Sequence, residues 1–254
     1  LIAGPCLVEN ETIVHQTAEF LAKETEKRNL TFIFKSSYRK ANRTSLESST
    51  GIGDDLALQI LERIRKEFQI PILTDVHETN EVEKAARTAD ILQIPAFLSR
   101  QTDLIIAAAA TGRIINIKKG QFMAPDDMSK AIRKILSTGN NQILLTERGT
   151  SFGYHDLVVD FRSFAVLGRT GYPVIFDVTH SLQKPSQGDY SGGTPEYALM
   201  MAKAALATGL VDGLFLETHP DPAAALSDAH TQLPLEVIPD FLDACLKIAG
   251  LKED

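Results

Sequence analysis

The sequence is poor in cysteine, with only Cys6 and Cys245 among its 254 residues. So few cysteines exclude a disulfide framework and indicate a reducing compartment, so we expect a cytoplasmic protein. Basic residues are also in the minority, because 26 Lys and Arg stand against 33 Asp and Glu, which gives a net charge of −7. This acidic balance argues against a nucleic-acid-binding surface.

Long apolar runs are missing as well. The longest, Ala107–Ala110 with its neighbours, is far too short to cross a bilayer, so no membrane association is expected. No signal peptide is visible, and an apolar strand begins at Leu1 itself, which leaves open whether residues precede it. Linkers and low-complexity tracts are absent too. The composition therefore predicts a single catalytic domain over residues 1–254.

Apolar β-type runs alternate with amphipathic helical patterns, with a repeat of about thirty residues. Eight such units predict a parallel sheet closed into a barrel, an α/β protein of the (β/α)8 TIM-barrel class. An open doubly wound sheet is the alternative, but no glycine-rich fingerprint follows Ala3. The predicted strands are Leu1–Ala3, Thr31–Lys35, Pro71–Asp75, Ile91–Pro95, Ile114–Lys118, Ile143–Glu147, Pro173–Asp177 and Gly213–Glu217. The predicted helices are Thr12–Arg28, Asp54–Phe68, Glu78–Ala89, Asp103–Thr111, Pro125–Leu136, Asp160–Leu167, Thr194–Thr208 and Leu235–Leu251.

Polar residues recur at the carboxyl end of each predicted strand, where barrels of this class carry their active sites. Any one cation there is more often a solvated surface residue. Several converging on one rim of an acidic chain instead favour a receptor for more than one phosphate or carboxylate. The cations are Lys35, Lys40, Arg43, Arg100, Lys118 and Arg148.

A second set of strand-end residues, Cys6, His180, Glu217 and Asp228, is able to bind a divalent metal ion. The ends of strands seven, eight and one become neighbours when a barrel closes, so these side chains have the opportunity to meet. Taken alone, Cys6 is more often a small buried hydrophobe, and His180 is compatible with a core histidine. The residues by themselves leave both readings open.

Two further features are weaker. Asp75 ends the third predicted strand and is a candidate to position a substrate or assist proton transfer. The segment Lys184–Gly193 follows the seventh strand and is rich in turn residues, which is typical of a mobile lid.

Several motifs in combination resemble 3-deoxy-D-manno-octulosonate 8-phosphate synthases over nearly the whole chain, residues 2–235. They are Ala3-Gly4-Pro5-Cys6, the run from Lys35 to Ser45, Thr74-Asp75-Val76-His77-Glu78, Asn116-Ile117-Lys118-Lys119-Gly120-Gln121-Phe122, Leu145-Thr146-Glu147-Arg148-Gly149 and Glu217-Thr218-His219-Pro220. The resemblance implies condensation of phosphoenolpyruvate with D-arabinose 5-phosphate, on the pathway to the inner-core sugar of lipopolysaccharide.

The resemblance also implies roles for particular residues. Phosphoenolpyruvate would be held by Lys35, Lys40, Lys118 and Arg148. Arabinose 5-phosphate would be held by Asn42, Arg43 and Thr44. Arg100 would reach the sugar phosphate from a neighbouring subunit, which implies a homotetramer. Related enzymes that use erythrose 4-phosphate are expected to carry a Lys-Pro-Arg-Thr-Ser type sequence, so the Ala41-Asn42 pair favours arabinose 5-phosphate.

The family divides into two classes by metal use. Metal-independent members have asparagine at the position of Cys6 and a Cys-Asp-Gly sequence near residues 227–229, where this chain has Ser227-Asp228-Ala229. Both markers here match the metal-dependent class. The resemblance therefore implies a divalent ion such as Mn, Fe, Co or Zn on Cys6, His180, Glu217 and Asp228, with Asp75, His180 and Cys6 in catalytic roles. Competing interpretations are another aldehyde substrate, a Schiff-base aldolase that uses Lys35 or Lys118, and a non-catalytic sugar-phosphate-binding barrel.

Overall fold

A computed structural model describes residues 1–41, 49–185 and 192–250. Eight parallel strands form a closed barrel, because each pairs with the next and the last pairs with the first. This closure confirms the predicted (β/α)8 TIM barrel and excludes the open doubly wound sheet. The strands are β1 Ile2–Gly4, β2 Ile33–Lys35, β3 Ile72–Asp75, β4 Ile91–Ile94, β5 Ile114–Lys118, β6 Ile143–Glu147, β7 Val174–Asp177 and β8 Gly213–His219.

A helix follows each strand around the outside of the barrel. The helices are α1 Glu11–Glu26, α2 Asp54–Phe68, α3 Val82–Thr88, α4 Thr102–Ala110, α5 Met128–Leu136, α6 Arg162–Gly168, α7 Ala198–Ala207 and α8 Ile238–Ala249. Several are shorter than the sequence predicts, because α3, α5, α7 and α8 are each preceded by one 3₁₀ turn. Proline begins two of these turns, at Pro125 and Pro195, where its fixed φ suits a tight first turn.

Three short pairings were not predicted. Thr150–Ser151 pairs with Leu157–Val158, and Gln183–Lys184 pairs with Gly192–Gly193. Leu233–Pro234 pairs with Thr218 and His219, the last two residues of β8, which lie beyond the predicted strand end at Glu217. Two-residue strands are too short to show an alternating pattern, so the sequence carries no periodic signal for them.

The inside of the barrel has two layers of different polarity. Its lower layer is a small apolar cluster formed by Ile2, Leu73, Ile91, Ile175 and Phe215. Side chains two residues apart on a strand share a face, so the positions two residues further along each strand form an upper layer. That layer is polar on every strand but β1, where the position is Gly4. The larger hydrophobic core lies between the barrel and its helices.

Gly4 allows the ends of β1 and β2 to approach each other closely. A Cβ atom at this position would lie 2.1 Å from the carbonyl oxygen of Lys35. The close approach places the carbonyl oxygen of Cys6 3.2 Å from Lys35 Nζ. Glycine is therefore required here by space between two backbones.

Among the described residues, no helix combines the length and the apolar character needed to span a membrane.

Candidate active site

A cavity of about 1280 Å³ opens above the polar layer, at the carboxyl ends of the strands. The lining contains both cations and carboxylates. Buried charges are costly unless they are paired, so a lining of this kind indicates a charged ligand. Among the lining residues are Lys35, Lys40, Asp75, Lys118, Arg148, His180, Glu217 and Asp228. Most of the strand-end residues predicted from the sequence therefore share one cavity.

Three of the four predicted metal ligands lie together, and two of them, Glu217 and Asp228, line this cavity. One ligand atom each from Cys6, Glu217 and Asp228 lies within 4.8 Å of the others. The Cys6 thiol donates to Asp228 Oδ2 at 2.9 Å, and Glu217 Oε2 is buried without a hydrogen-bond partner among the described residues. His180 stands beside the group, with Nε2 at 3.6 Å from Glu217 Oε1. The donor set, with one sulfur, two carboxylates and an adjacent imidazole, fits a divalent first-row ion.

The environment of Cys6 strongly affects its proton. Burial, with the nearby carboxylates of Asp228 and Glu217, raises the pKa of the Cys6 thiol well above its usual value. Burial also acts to raise the pKa of Glu217, but Lys35 and His180 outweigh it and hold that pKa well below its usual range. The cluster therefore combines a protonated thiol with an ionised carboxylate, and a metal ion would displace the thiol proton on binding.

Two glutamine side chains support the segment that carries Asp228. The sequence analysis did not predict this role for either of them. Asp228 itself adopts a left-handed backbone conformation, with φ of 50°, which is uncommon outside glycine and frequent at functional sites. Gln232 accepts from the Cys6 amide at 3.1 Å and donates to the Ser227 carbonyl at 2.9 Å. Gln183 donates to Asp228 Oδ1 at 3.1 Å. The hydrogen bond between Cys6 and Gln232 joins the loop after β1 to a residue 226 positions away. No local sequence pattern reveals a contact over that separation.

Two lysines reach the cavity from the barrel interior, and each is paired with a carboxylate. Lys35 donates to Glu217, and both side chains are almost fully buried. Lys118 Nζ lies 2.6 Å from Asp177 Oδ2 and 4.0 Å from the centre of the Phe215 ring. Asp177 also holds the ring of His180, whose Nδ1 lies 3.0 Å from Asp177 Oδ1. Asp177 ends β7, so its position was visible in the sequence, but its part in orienting two site residues was not.

Arg148 and Lys40 complete the cationic side of the cavity. Arg148 Nη2 donates to Gln183 Oε1 at 2.7 Å, while Nη1 is buried without a partner among the described residues. Burial lowers the pKa of Arg148, yet a guanidinium remains charged at neutral pH. Burial also acts to lower the pKa of Lys40, but the carboxylates of Glu217 and Asp228 outweigh it and raise that pKa well above its usual value. Both groups are therefore cations, and in the described part of the chain Arg148 Nη1 is left with no protein acceptor, which suits it to an anion.

Asp75 lies buried at the end of β3, two strands along from the end of β1. Its two carboxylate oxygens accept hydrogen bonds from Ser37 and Gln93. Burial acts to raise the pKa of Asp75, but Lys35 and Lys40 keep it well below its usual range. Asp75 is therefore a fixed carboxylate at the cavity wall.

The remaining predicted residues lie elsewhere. Arg100 is exposed and is not among the described residues that line the cavity; its carbonyl oxygen accepts from Lys134 Nζ at 3.0 Å. Asn42, Arg43 and Thr44 lie outside the described residues, as do positions 186–191 of the predicted lid. The two ends of that segment pair with each other, Gln183 with Gly193 and Lys184 with Gly192.

A barrel whose carboxyl rim gathers buried cations, ionised carboxylates and a thiol cluster belongs to the class of (β/α)8 enzymes that act on anionic substrates. The sequence profile of the DAHP synthetase I family matches residues 1–249. The chain belongs to this family.

Curated relatives give a finer comparison. The chain is 50% identical over 243 residues to the 2-dehydro-3-deoxyphosphooctonate aldolase of Trichlorobacter lovleyi, which covers 95% of this chain and 89% of that protein. It is 53% identical over 243 residues to the protein of the same name from Acidithiobacillus ferrooxidans, covering 95% and 86% respectively. With the corresponding protein of Syntrophobacter fumaroxidans it shares 49% identity over 255 residues, covering 100% and 88%.

Proposed function

We propose that this protein condenses phosphoenolpyruvate with D-arabinose 5-phosphate and water, giving 3-deoxy-D-manno-octulosonate 8-phosphate and inorganic phosphate. The reaction supplies the inner-core sugar of lipopolysaccharide. The observation that carries the proposal is the convergence of Lys35, Lys118 and Arg148 on one cavity, in a chain about half identical to aldolases named for this product. We also propose that residues 1–254 act as one catalytic domain in the cytoplasm.

The cavity has the charge distribution that this reaction needs. A carbon–carbon bond forms between C3 of phosphoenolpyruvate and the aldehyde carbon, water oxygen adds at C2, and inorganic phosphate leaves. Both substrates bring phosphate groups, and phosphoenolpyruvate adds a carboxylate. Lys35, Lys40, Lys118 and Arg148 would bind these anions and stabilise charge that develops on the phosphate. Asp75, fixed and ionised, would orient the sugar hydroxyls.

The carboxylate partners of Lys35 and Lys118 argue against a Schiff-base aldolase. A lysine nucleophile must lose its proton, and enzymes achieve this by burial beside other cations or in an apolar pocket. Lys35 is buried but paired with Glu217, and that carboxylate outweighs burial, so the pKa of Lys35 is raised. Lys118 is paired with Asp177 at 2.6 Å. Lys35 is therefore held as an ammonium group, and both lysines have a carboxylate partner, an arrangement suited to binding anions and not to a lysine nucleophile.

We propose that Cys6, Glu217, Asp228 and His180 hold a divalent ion such as Mn, Fe, Co or Zn. When bound, such an ion supplies Lewis acidity toward the aldehyde or toward water. The support is the three-residue cluster and the buried Glu217 oxygen that has no hydrogen-bond partner within the described ranges. In this proposal Asp177 keeps His180 oriented, with Nδ1 engaged and Nε2 free toward Glu217.

The proposed reaction is tested by phosphate release from phosphoenolpyruvate with arabinose 5-phosphate, with erythrose 4-phosphate as the competing aldehyde. We expect turnover with arabinose 5-phosphate and a much lower kcat/KM with erythrose 4-phosphate. The reverse preference would contradict the substrate assignment.

The metal is tested by removal with a chelator and by metal analysis. We expect activity to fall on stripping and to return with Mn, Fe, Co or Zn, while Cys6→Asn lowers metal content and leaves reduced, metal-free turnover. Cys245→Ala, in the hydrophobic core, is the control for loss of a cysteine and should retain its metal. Full activity of the stripped enzyme would refute the assignment.

We further propose that the protein is a homotetramer in which Arg100 reaches the sugar phosphate bound by a neighbouring subunit. Asn42, Arg43 and Thr44 would bind the same phosphate and the adjacent hydroxyls. The exposed position of Arg100 outside the cavity of its own chain is compatible with this role.

A further inference from the structure

A continuous chain of side-chain hydrogen bonds crosses neighbouring strands beneath the candidate site. The Thr146 hydroxyl donates to Asn116 Oδ1 at 2.6 Å, and Asn116 Nδ2 donates to Gln93 Oε1 at 2.7 Å. Gln93 Nε2 donates to Asp75 Oδ1, and the Ser37 hydroxyl donates to Asp75 Oδ2. All five side chains are buried.

The strand register creates this line. Asp75 is directly opposite Gln93 in the β3–β4 pairing, and Gln93 is directly opposite Asn116 in the β4–β5 pairing. Lys35 pairs with Leu73, so Ser37 lies level with Asp75 two residues further on. The barrel therefore supports a row of polar groups that run sideways from strand to strand.

The row has a direction, and Asp75 is where it ends. An ionised carboxylate only accepts hydrogen bonds, so Gln93 must present its NH₂ group to Asp75 and its oxygen to Asn116. Asn116 must then present its own NH₂ group to Gln93 and its oxygen to Thr146, whose hydroxyl donates. Each amide orientation depends on the next, so a change at Thr146 or Asn116 is transmitted to Asp75.

We propose that Gln93 is a positioning residue for Asp75, and that Asn116 and Thr146 fix the amide of Gln93 so that the Asp75 carboxylate keeps one orientation toward the sugar substrate. This inference rests on the proposed function. Gln93 lines the cavity, whereas Asn116 and Thr146 are not among the described lining residues, so they act through Gln93.

The cations around Asp75 do not fix its orientation. Lys35, Lys40 and Lys118 all favour its ionised form, but a point charge holds a carboxylate near it without setting the angle of the carboxylate plane. Gln93 and Ser37 each engage one oxygen and so set that angle. Positioning and charge are therefore supplied by different residues.

The first test replaces residues that lie below the cavity. Asn116→Asp presents an acceptor to Gln93, which reverses the Gln93 amide and turns its oxygen toward Asp75. Thr146→Val removes the hydroxyl at the start of the row without adding a charge, and Thr146→Ser restores it. We expect Asn116→Asp and Thr146→Val to lower kcat, or to raise KM for arabinose 5-phosphate, by roughly 10- to 100-fold, with phosphoenolpyruvate affinity nearly unchanged. Thr146→Ser should recover most of the loss.

The outcomes separate positioning from general damage. A folded Thr146→Val enzyme with wild-type kcat and wild-type KM for the sugar would overturn the proposal, and so would equal losses for both substrates. If the charge introduced by Asn116→Asp prevents folding, the comparison of Thr146→Val with Thr146→Ser is sufficient to test the proposal.

A second readout does not depend on turnover. In enzyme labelled with ¹⁵N at glutamine side chains, the amide signal of Gln93 should shift in Asn116→Asp or Thr146→Val and return in Thr146→Ser. If the wild type lacks turnover with arabinose 5-phosphate while this pattern holds, the proposed function fails and the hydrogen-bonded row stands. An unchanged Gln93 signal in both variants would overturn the row itself.

Discussion

The ion pair of Lys35 with Glu217 is the most deeply buried charged contact described at the site, with side chains 1% and 0% exposed. Two charges taken out of water are tolerated because each compensates the other, and removing one leaves the other uncompensated. The same lysine donates to the Cys6 carbonyl at 3.2 Å. Lys35 therefore has a structural task in addition to its proposed task in binding substrate.

Lys35→Met is expected to lower the free energy of unfolding by about 3–5 kcal/mol, because Glu217 loses its buried partner. Lys35→Met combined with Glu217→Leu should cost less than the sum of the two single changes. Urea unfolding followed by circular dichroism measures both. The control is Lys23→Met, which breaks the exposed pair of Lys23 with Glu19 and should cost less than about 1 kcal/mol. Equal losses for Lys35→Met and Lys23→Met would contradict the argument.

Glu81 is a second buried carboxylate with a measurable effect, away from the thiol cluster. It accepts hydrogen bonds from the His77 amide and, at 2.8 Å, from the Glu78 amide, and it also pairs with Arg39. Burial acts to raise the pKa of Glu81, but its contacts with His77, together with the hydrogen bond from the Glu78 amide, outweigh it and lower that pKa from 4.5 to about 2. The contacts hold the turn that follows His77 against the segment that follows β2.

A depressed carboxyl pKa stabilises the fold above the unfolded value and loses that contribution as pH falls toward the folded value. The contribution of Glu81 should therefore be complete above pH 4.5 and disappear toward about pH 2. We expect Glu81→Gln to be less stable than the wild type at neutral pH and to lose less further stability between about pH 5 and about pH 3. Glu83→Gln, an exposed neighbour, is the control. Parallel stability–pH curves for wild type and Glu81→Gln would exclude this assignment.

At the scale of elements, the lower end of the barrel is tied by carboxylates. Asp90, just before β4, accepts from the Ile72 amide at 3.0 Å at the start of β3 and from Arg65 Nη2 at 2.8 Å on α2. Asp212 accepts from the Val174 amide at 2.8 Å in the same way before β8. These contacts join a strand start to its neighbours at the end opposite the site.

Asp90→Ala is expected to lower stability by about 1.5–3 kcal/mol, because charge-assisted hydrogen bonds to Arg65 and Ile72 are lost. The kcat/KM of the folded enzyme should stay within about twofold of wild type, since residues at this end of a barrel serve stability. Thermal unfolding and steady-state kinetics check the two parts. Asp55→Ala, at an exposed ion pair, should change neither. A large fall in kcat/KM without a fall in melting temperature would show that the lower end influences the site.

The elements themselves could largely be predicted from sequence, because strict alternation of strand and helix patterns leaves few topologies. Ile114–Lys118 and Ile143–Glu147 match their predicted bounds, and so does the helix Asp54–Phe68. The two-residue ladders could not be predicted, since their pairing is stabilised by tertiary contacts and not by periodicity. The same holds for the candidate site. Lys35 and Glu217 could be predicted because they lie at strand ends, whereas the role of Gln183 could not, because it depends on contacts with distant parts of the chain.

At the scale of the whole molecule, the proposed tetramer makes each site depend on two chains. We expect a sedimentation mass about four times the 27.8 kDa of one chain. Arg100→Ala and Arg148→Ala homomers should both be nearly inactive. Co-expressed together, they should regain activity, because a site can combine Arg148 of one subunit with Arg100 of another.

The control for this complementation pairs Arg148→Ala with Lys118→Met. Both changes lie in the cavity of their own chain. Every site in this mixture therefore carries one of the two changes, and mixing should give no recovery. Equal recovery in both mixtures would contradict a role for Arg100 across the interface, and a monomeric mass would contradict the assembly.

The apolar layer at the bottom of the barrel determines how ligands reach the cavity. It is formed by Ile2, Leu73, Ile91, Ile175 and Phe215. In the described part of the chain these side chains close the barrel from below, so the cavity communicates with solvent through its upper rim. In the proposed reaction, two substrates, a water molecule and two products must all use that entrance. A compound that capped the rim, without imitating either substrate, would therefore halt entry and exit together.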